Sequence, residues 1–152
     1  MTMTLDGTTG IVLPTNAAPA FSAYQSSSQS VSSNTWTKIQ FQTKEYDTNS
    51  NFDNATNYRF TPTVAGYYQV NGNVLGNNNV VWYTSIYKNG SAFKTNQIAA
   101  GATALGGAVN YIVYFNGSTD YIELYIYSTG SAQTINANLF TTFFGAAMIR
   151  SA

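Results

Sequence analysis

"FTPTVAGYYQV", Phe60–Val70, sets a proline, a glycine and two adjacent tyrosines inside an otherwise strand-like run. Pro62 and Gly66 bracket a turn, and the residues that follow alternate with the period of two that a β-strand imposes. That alternation splits the tyrosine pair. Tyr68 and Val70 fall on one face, and Tyr67 and Gln69 on the other. Tyr68 is assigned to the core, which leaves Tyr67 to meet a neighbour or a ligand.

Strand signals continue in both directions. From Ala20 onward, aromatic and β-branched runs alternate with Asn, Gly and Ser punctuation every eight to twelve residues, the rhythm of a sandwich or barrel. Asn89-Gly90 and Asn116-Gly117 lie between alternating runs, where Asn-Gly favours a tight primed turn. Asn-Gly also occurs at Asn71-Gly72, and the sequon-like "NAT" at Asn54 is explained by turn chemistry. In "DYIELYIY", Ile122, Leu124 and Ile126 form a core face, while Tyr121, Tyr125 and Tyr127 line the opposite one. Such a row suits either a contact surface or an ordinary outer sheet. No segment has the 3.6-residue period of a helix. The chain is all-β.

Composition narrows the chemistry. The 152 residues suit one domain, organised as an arm over residues 1–18 and a folded unit over 19–152. Charged residues are 8% of the chain, and six Lys+Arg balance six Asp+Glu, so the basic footprint of a nucleic-acid binder is missing. The longest apolar runs are too short to span a bilayer, so no membrane insertion is expected. "MTMTLDGTTG" has neither the basic nor the apolar part of a secretory signal. With no His and no Cys, the usual zinc sites, Ser–His–Asp triads and Cys–His dyads cannot be assembled. Carboxylate pairs such as Glu45/Asp47 and Asp120/Glu123 leave glycoside hydrolysis as the one plausible chemistry. Their expected role is structural. No catalytic residue, metal site or cofactor is assigned.

The last run, "LFTTFFGAAMIR" (Leu139–Arg150), is apolar on both faces. A two-layer sandwich covers only one face of each sheet, so something else must cover the second. A further copy of the chain is the economical candidate, with the chain's own arm as the alternative. At about 1.5–3 kcal/mol per large apolar side chain, burying two or three would hold subunits together.

The spacing Phe41, Asp47, Phe52, Phe60, Gly66, Tyr68, Val70 resembles the signature of the complement C1q-type globular head of the tumour-necrosis-factor-like superfamily. "AFSAY" (Ala20–Tyr24) is similar to that family's first strand, and Phe143 with Gly145 to its terminal Phe-x-Gly. Separately, "TLDGTTGI" (Thr4–Ile11) looks like segments of bacteriophage tail-fibre proteins. The resemblance implies a jelly roll of about ten strands that assembles as a homotrimer, with its first and last strands near the three-fold axis. Phe143, Ala147 and Ile149 are then expected to face the subunit core. Phe140, Phe144, Ala146 and Met148 are expected at the trimer interface.

The expected function is that of a virion structural protein, a trimeric tail-fibre or baseplate head that meets the host surface, and a glycan there, without catalysis. Candidate contacts are Tyr67, Tyr121, Tyr125 and Tyr127, with the loops "NFDNATN" (Asn51–Asn57) and "GNNN" (Gly76–Asn79). The arm is expected to dock to other virion proteins, and the chain to be made in the host cytoplasm. A capsid decoration, cement or connector protein docked through the arm is the alternative, and a bacterial surface adhesin a further one.

Overall fold

The computed structural model describes residues 4–6, 10–12, 18–77, 81–98 and 104–152. Within residues 1–17, β1 (Thr4–Asp6) pairs with β2 (Gly10–Val12). Residues 1–3, 7–9 and 13–17 of the arm, and Asn78 and Asn79 of the "GNNN" loop, lie outside the described residues. Then follow β3 (Ala20–Tyr24), β4 (Gln29–Val31), β5 (Thr37–Lys38), β6 (Thr43–Asp47), β7 (Phe52–Asp53) and β8 (Arg59–Phe60). The longer strands are β9 (Gly66–Asn77), β10 (Trp82–Lys88), β11 (Ser91–Ile98), β12 (Ala104–Phe115) and β13 (Ile122–Ser128). Short β14 (Gln133–Ile135) precedes the terminal β15 (Phe143–Ser151).

These strands build an antiparallel sandwich. One sheet runs β12-β9-β15-β3-β6, and the other β11-β10-β13-β8-β7, with β5 also on β13. β14 and β4 form a separate pair. Pairing between strands distant in sequence gives the subunit two poles. Ala20, Gly66, Phe115 and Ser151 end their strands at one pole, where the arm leaves. Tyr24, Asn77, Ala104 and Phe143 end theirs at the other.

Between the sheets lies an aromatic core. Phe21 stacks on Phe52 at 4.6 Å and on Phe60 at 4.5 Å, and meets Phe144 edge-on at 5.2 Å. Phe41 lies 5.6 Å from Phe144, and Tyr68 packs against Phe60 and Phe115. Phe41, Phe60, Tyr68, Phe115 and Phe144 are completely buried, and Phe52 and Gly66 nearly so. Tyr68 keeps its hydroxyl satisfied by donating to the Val64 carbonyl at 2.8 Å, and burial pushes its pKa up to about 12. Ile122, Leu124 and Ile126 of β13 close the core from the other side.

The two faces of β15 are the reverse of the sequence expectation. Phe144 and Ala146 point into the subunit's own core, with Met148 packed at its edge. Phe143 and Gly145 lie on the outward face, and Ala147 and Ile149 are exposed. The neighbours decide this. Phe144 is in register with Ala23 and Gly72, and Ala146 with Phe21 and Val70, all on the buried side. A strand apolar on both faces carries no periodicity with which to choose between them. Phe140 lies outside the strand, 79% exposed in the preceding loop at the pole opposite the arm.

The three Asn-Gly pairs are accounted for in three different ways. Asn89 and Gly90 have φ of 52° and 79° and join β10 to β11 in a two-residue primed turn. Asn116-Gly117 does not close a hairpin, because β12 and β13 belong to different sheets. Instead the Asn116 Oδ1 accepts from the backbone N–H groups of Ser118, Thr119 and Asp120 and shapes the crossing. Gly72 lies inside β9, where a Cβ would come within 2.7 Å of the Leu124 side chain.

"NFDNATN" is a structural turn centred on Asp53. Its carboxylate accepts from the N–H groups of Ala55 and Thr56 at 2.9 Å, and from the Asn57 backbone and side chain. Those backbone donors hold the Asp53 pKa well below the usual carboxylate range. A group whose folded pKa is depressed stabilises above its unfolded pKa, about 3.9, and that contribution fades as pH falls through the folded value. Asp53→Asn is therefore expected to lower stability by about 1 kcal/mol at neutral pH, solvent screening allowed for. The difference from the parent should shrink below about pH 4, as followed by denaturant unfolding at several pH values.

Candidate functional site

Each sheet turns one face outward, and the two differ in character. The outward face of β12-β9-β15-β3-β6 is smooth and nearly uncharged. Gly145, Ala147, Ala20 and Ser22 keep its centre low, with Gln69 and Asn71 beside them. Ile112, Tyr114 and Tyr67 are each between 43% and 48% exposed on β12 and β9. Tyr67 and Tyr114 pair at 5.3 Å, and with Arg150, Ser151 and Ala152 they border an open hollow of about 480 Å³ at the arm's pole. Tyr67 thus stands where the opening stretch puts it, opposite Tyr68. At the β6 edge, Glu45 accepts from the Ser22 hydroxyl at 2.6 Å.

The outward face of the second sheet carries an aromatic plate. Register places Tyr83 beside Tyr127, Ser85 beside Tyr125 and Tyr87 beside Glu123. Trp36, just before β5, lies over them with its ring 5.5 Å from Tyr127, 5.8 Å from Tyr87 and 6.3 Å from Tyr83. Tyr87 stacks on Tyr125 at 3.9 Å. Burial raises the pKa of both phenols, and the nearby Glu123 carboxylate adds to the effect on Tyr125. The rim is polar: the Asn34 Oδ1 accepts from the Tyr127 hydroxyl at 3.4 Å, and exposed Thr95 shares a hydrogen bond of 2.8 Å with Ser85, which is buried beneath the rings. Lys38 donates to the buried Glu123 at 2.9 Å.

Of the tyrosines expected to make contacts, the structure brings Tyr125 and Tyr127 into this plate. Tyr121 lies apart, with the Arg59 guanidinium 4.5 Å above its ring, and Tyr67 belongs to the other sheet. Sequence reading missed Trp36, Tyr83 and Tyr87. The alternation in "WYTSIYK" (Trp82–Lys88) puts Tyr83 and Tyr87 on one face and could have shown them. Trp36 follows a Ser/Asn/Thr loop with no period, and only the fold carries it onto the plate.

The acidic pairs are tied into structure. Asp120 meets Lys88 at 3.0 Å and accepts from Asn89 at 2.8 Å, while Glu123 holds Lys38. Asp47 pairs with Lys44 and accepts from the N–H groups of Asn51 and Phe52. Among the described residues no three acidic side chains converge as a cation site would need, and no helix is long and apolar enough to cross a membrane.

No protein-family model and no curated protein matches the chain. Solved structures do. The globular domain of zebrafish complement 1qA protein superposes with a TM-score of 0.63 and 14% identity, covering 88% of this chain and 99% of that one. Murine APRIL gives 0.68 at 10% identity, over 87% of this chain and 99% of its own. The vertex protein P5 of phage PRD1 gives 0.65 at 16% identity, over 88% and 98%. At these identities the likeness concerns architecture, and it agrees with the sheet order and aromatic core. The chain has the all-β jelly-roll fold of the C1q and tumour-necrosis-factor-type globular domains.

Proposed function

We propose that the chain is a bacteriophage virion structural protein, a homotrimeric tail-fibre or baseplate head that contacts the host surface, at a glycan, by non-catalytic binding. The observation that carries this reading is the smooth, nearly uncharged outward face of β12-β9-β15-β3-β6. Exposed Ile112, Tyr114 and Tyr67 around a floor of Gly145 and Ala147 suit close contact with further copies of the same surface. Burying such side chains at about 1.5–3 kcal/mol each holds subunits together where charges would not resist. Likeness to a phage vertex protein supports the virion setting. The two poles supply a direction: residues 1–18 dock to the particle from one end, and the opposite pole and the second sheet meet the host.

Light scattering on the purified protein at about micromolar concentration should give three chain masses. A stable monomer there would sink the assembly.

The vertex-protein likeness also favours a second reading, a capsid decoration or connector protein docked through residues 1–18. Cryo-electron microscopy of the particle separates the two by position. Density at the fibre or baseplate supports the first reading, and density on the capsid supports the second.

A further inference from the structure

We infer that the plate formed by Trp36, Tyr83, Tyr87, Tyr125 and Tyr127 is a saccharide-binding platform, and that its ligands are neutral pyranose chains. This rests on the attachment reading above and gives it a place and a ligand chemistry.

Position is the first support. The plate lies on the sheet opposite the proposed assembly face, so association through β12-β9-β15-β3-β6 leaves it open. Trp36 retains 36% of its surface, whereas Trp82, the other indole, is 1% exposed in the core. An indole held at the surface by three tyrosine rings presents a π-surface whose orientation is fixed before a ligand arrives, which lowers the entropic cost of binding.

Shape is the second. The rings contact one another at centroid distances of 3.9 to 6.3 Å. No space remains among them for a quaternary ammonium group, so the arrangement is a platform and not a cation cage. The C–H face of a pyranose ring is the complement of such a surface. Its equatorial hydroxyls would reach the neutral, exposed Asn34 and Thr95 at the rim.

Charge is the third. The ion pair on this face, Lys38–Glu123, closes on itself at 2.9 Å. Arg59 stands over Tyr121, away from the plate, so an anionic chain seated on the five rings meets no uncommitted cation there, and covering the plate would desolvate its charge without return. A neutral chain incurs no such cost.

The platform is tested by titrating the intact protein with cellohexaose and maltohexaose, following tryptophan fluorescence. Hyaluronan oligosaccharide serves as the anionic probe and choline as the cationic one. At least one neutral hexasaccharide should give a saturable change with a Kd of about 1 mM or below. Trp36→Ala should weaken it at least tenfold by calorimetry, and Trp36→Phe by less. Tyr121→Ala, away from the plate, should leave it unchanged, with circular dichroism and particle mass verifying each fold.

Absence of saturation by either hexasaccharide up to about 10 mM overturns the proposal. So does binding of hyaluronan or choline alone, or neutral binding that survives Trp36→Ala. If Tyr83→Ala is needed because the Trp36 variants misfold, the same tenfold loss is required. Host-cell adsorption separates the two readings. Adsorption undiminished in a variant that has lost saccharide binding overturns the platform's role and spares attachment. Saccharide binding by a protein that does not adsorb upholds the platform and removes attachment.

Discussion

Phe144→Ala is expected to lower the unfolding free energy by about 3–5 kcal/mol, and Phe144→Asp to abolish folding. Phe144 is completely buried and touches the rings of Phe21, Phe41 and Phe52. Truncating it removes buried apolar area and leaves a cavity that ring-to-ring neighbours cannot collapse into, because β15 is held between β3 and β9. Whole-domain stability is typically about 5–15 kcal/mol, so the alanine variant would retain a fraction of it and the aspartate variant none. Denaturant unfolding followed by circular dichroism reads both. Were Phe144→Asp to fold normally and merely dissociate, Phe144 would lie on the outward face of β15 and not in the core.

Ala147→Asp should do the opposite: preserve the subunit and break the assembly. Ala147 is exposed, on the outward face of the same strand, in register with Gln69 and Ala20. In a lone subunit a carboxylate there meets water and changes stability by no more than about 0.5 kcal/mol. In an assembly through this face it would be buried on an apolar floor whose nearest cation on the strand, Arg150, lies out at the arm's pole, at several kcal/mol, and every 1.4 kcal/mol weakens association about tenfold. Light scattering should therefore register one chain mass from a protein whose circular dichroism is unchanged. Three chain masses from this variant would place the contact elsewhere. The paired substitutions, three residues apart on β15, separate folding from association without any need to identify the ligand.

Much of the fold was legible because its signals are local. Ile122, Leu124 and Ile126 announce their buried face by alternation, and Asn89-Gly90 announces its turn by the positive φ it adopts. Tyr67 and Tyr68 separate for the same reason. β15 was legible as a strand but not as to which way it faces. Phe143 and Phe144 are chemically identical, and only the register with Ala23 and Gly72 selects between them. The plate shows a different limit. Tyr125 and Tyr127 could be read from one strand, yet Trp36 reaches them through pairing of β5 with a strand more than eighty residues later. Asn116-Gly117 failed as a hairpin signal because turn chemistry says nothing about which sheet the next strand joins.

The separation of the poles has a consequence for how such a chain can change. At the arm's pole, the Ala152 N–H donates to the Ala65 carbonyl and the Met148 N–H to that of Pro19, so β15 is fastened to the residues that lead into β9 and β3. At the opposite pole Leu139 and Phe140, between β14 and β15, belong to no strand and are 46% and 79% exposed. Doubling the length of such a connection costs only about 0.6 kcal/mol in closure entropy. Insertions are thus tolerated at Leu139–Phe140 and resisted at the pole where the arm leaves. A peptide tag placed between Leu139 and Phe140 should be displayed without loss of folding, whereas one fused to Ala152 would press on the strand ends beside the arm.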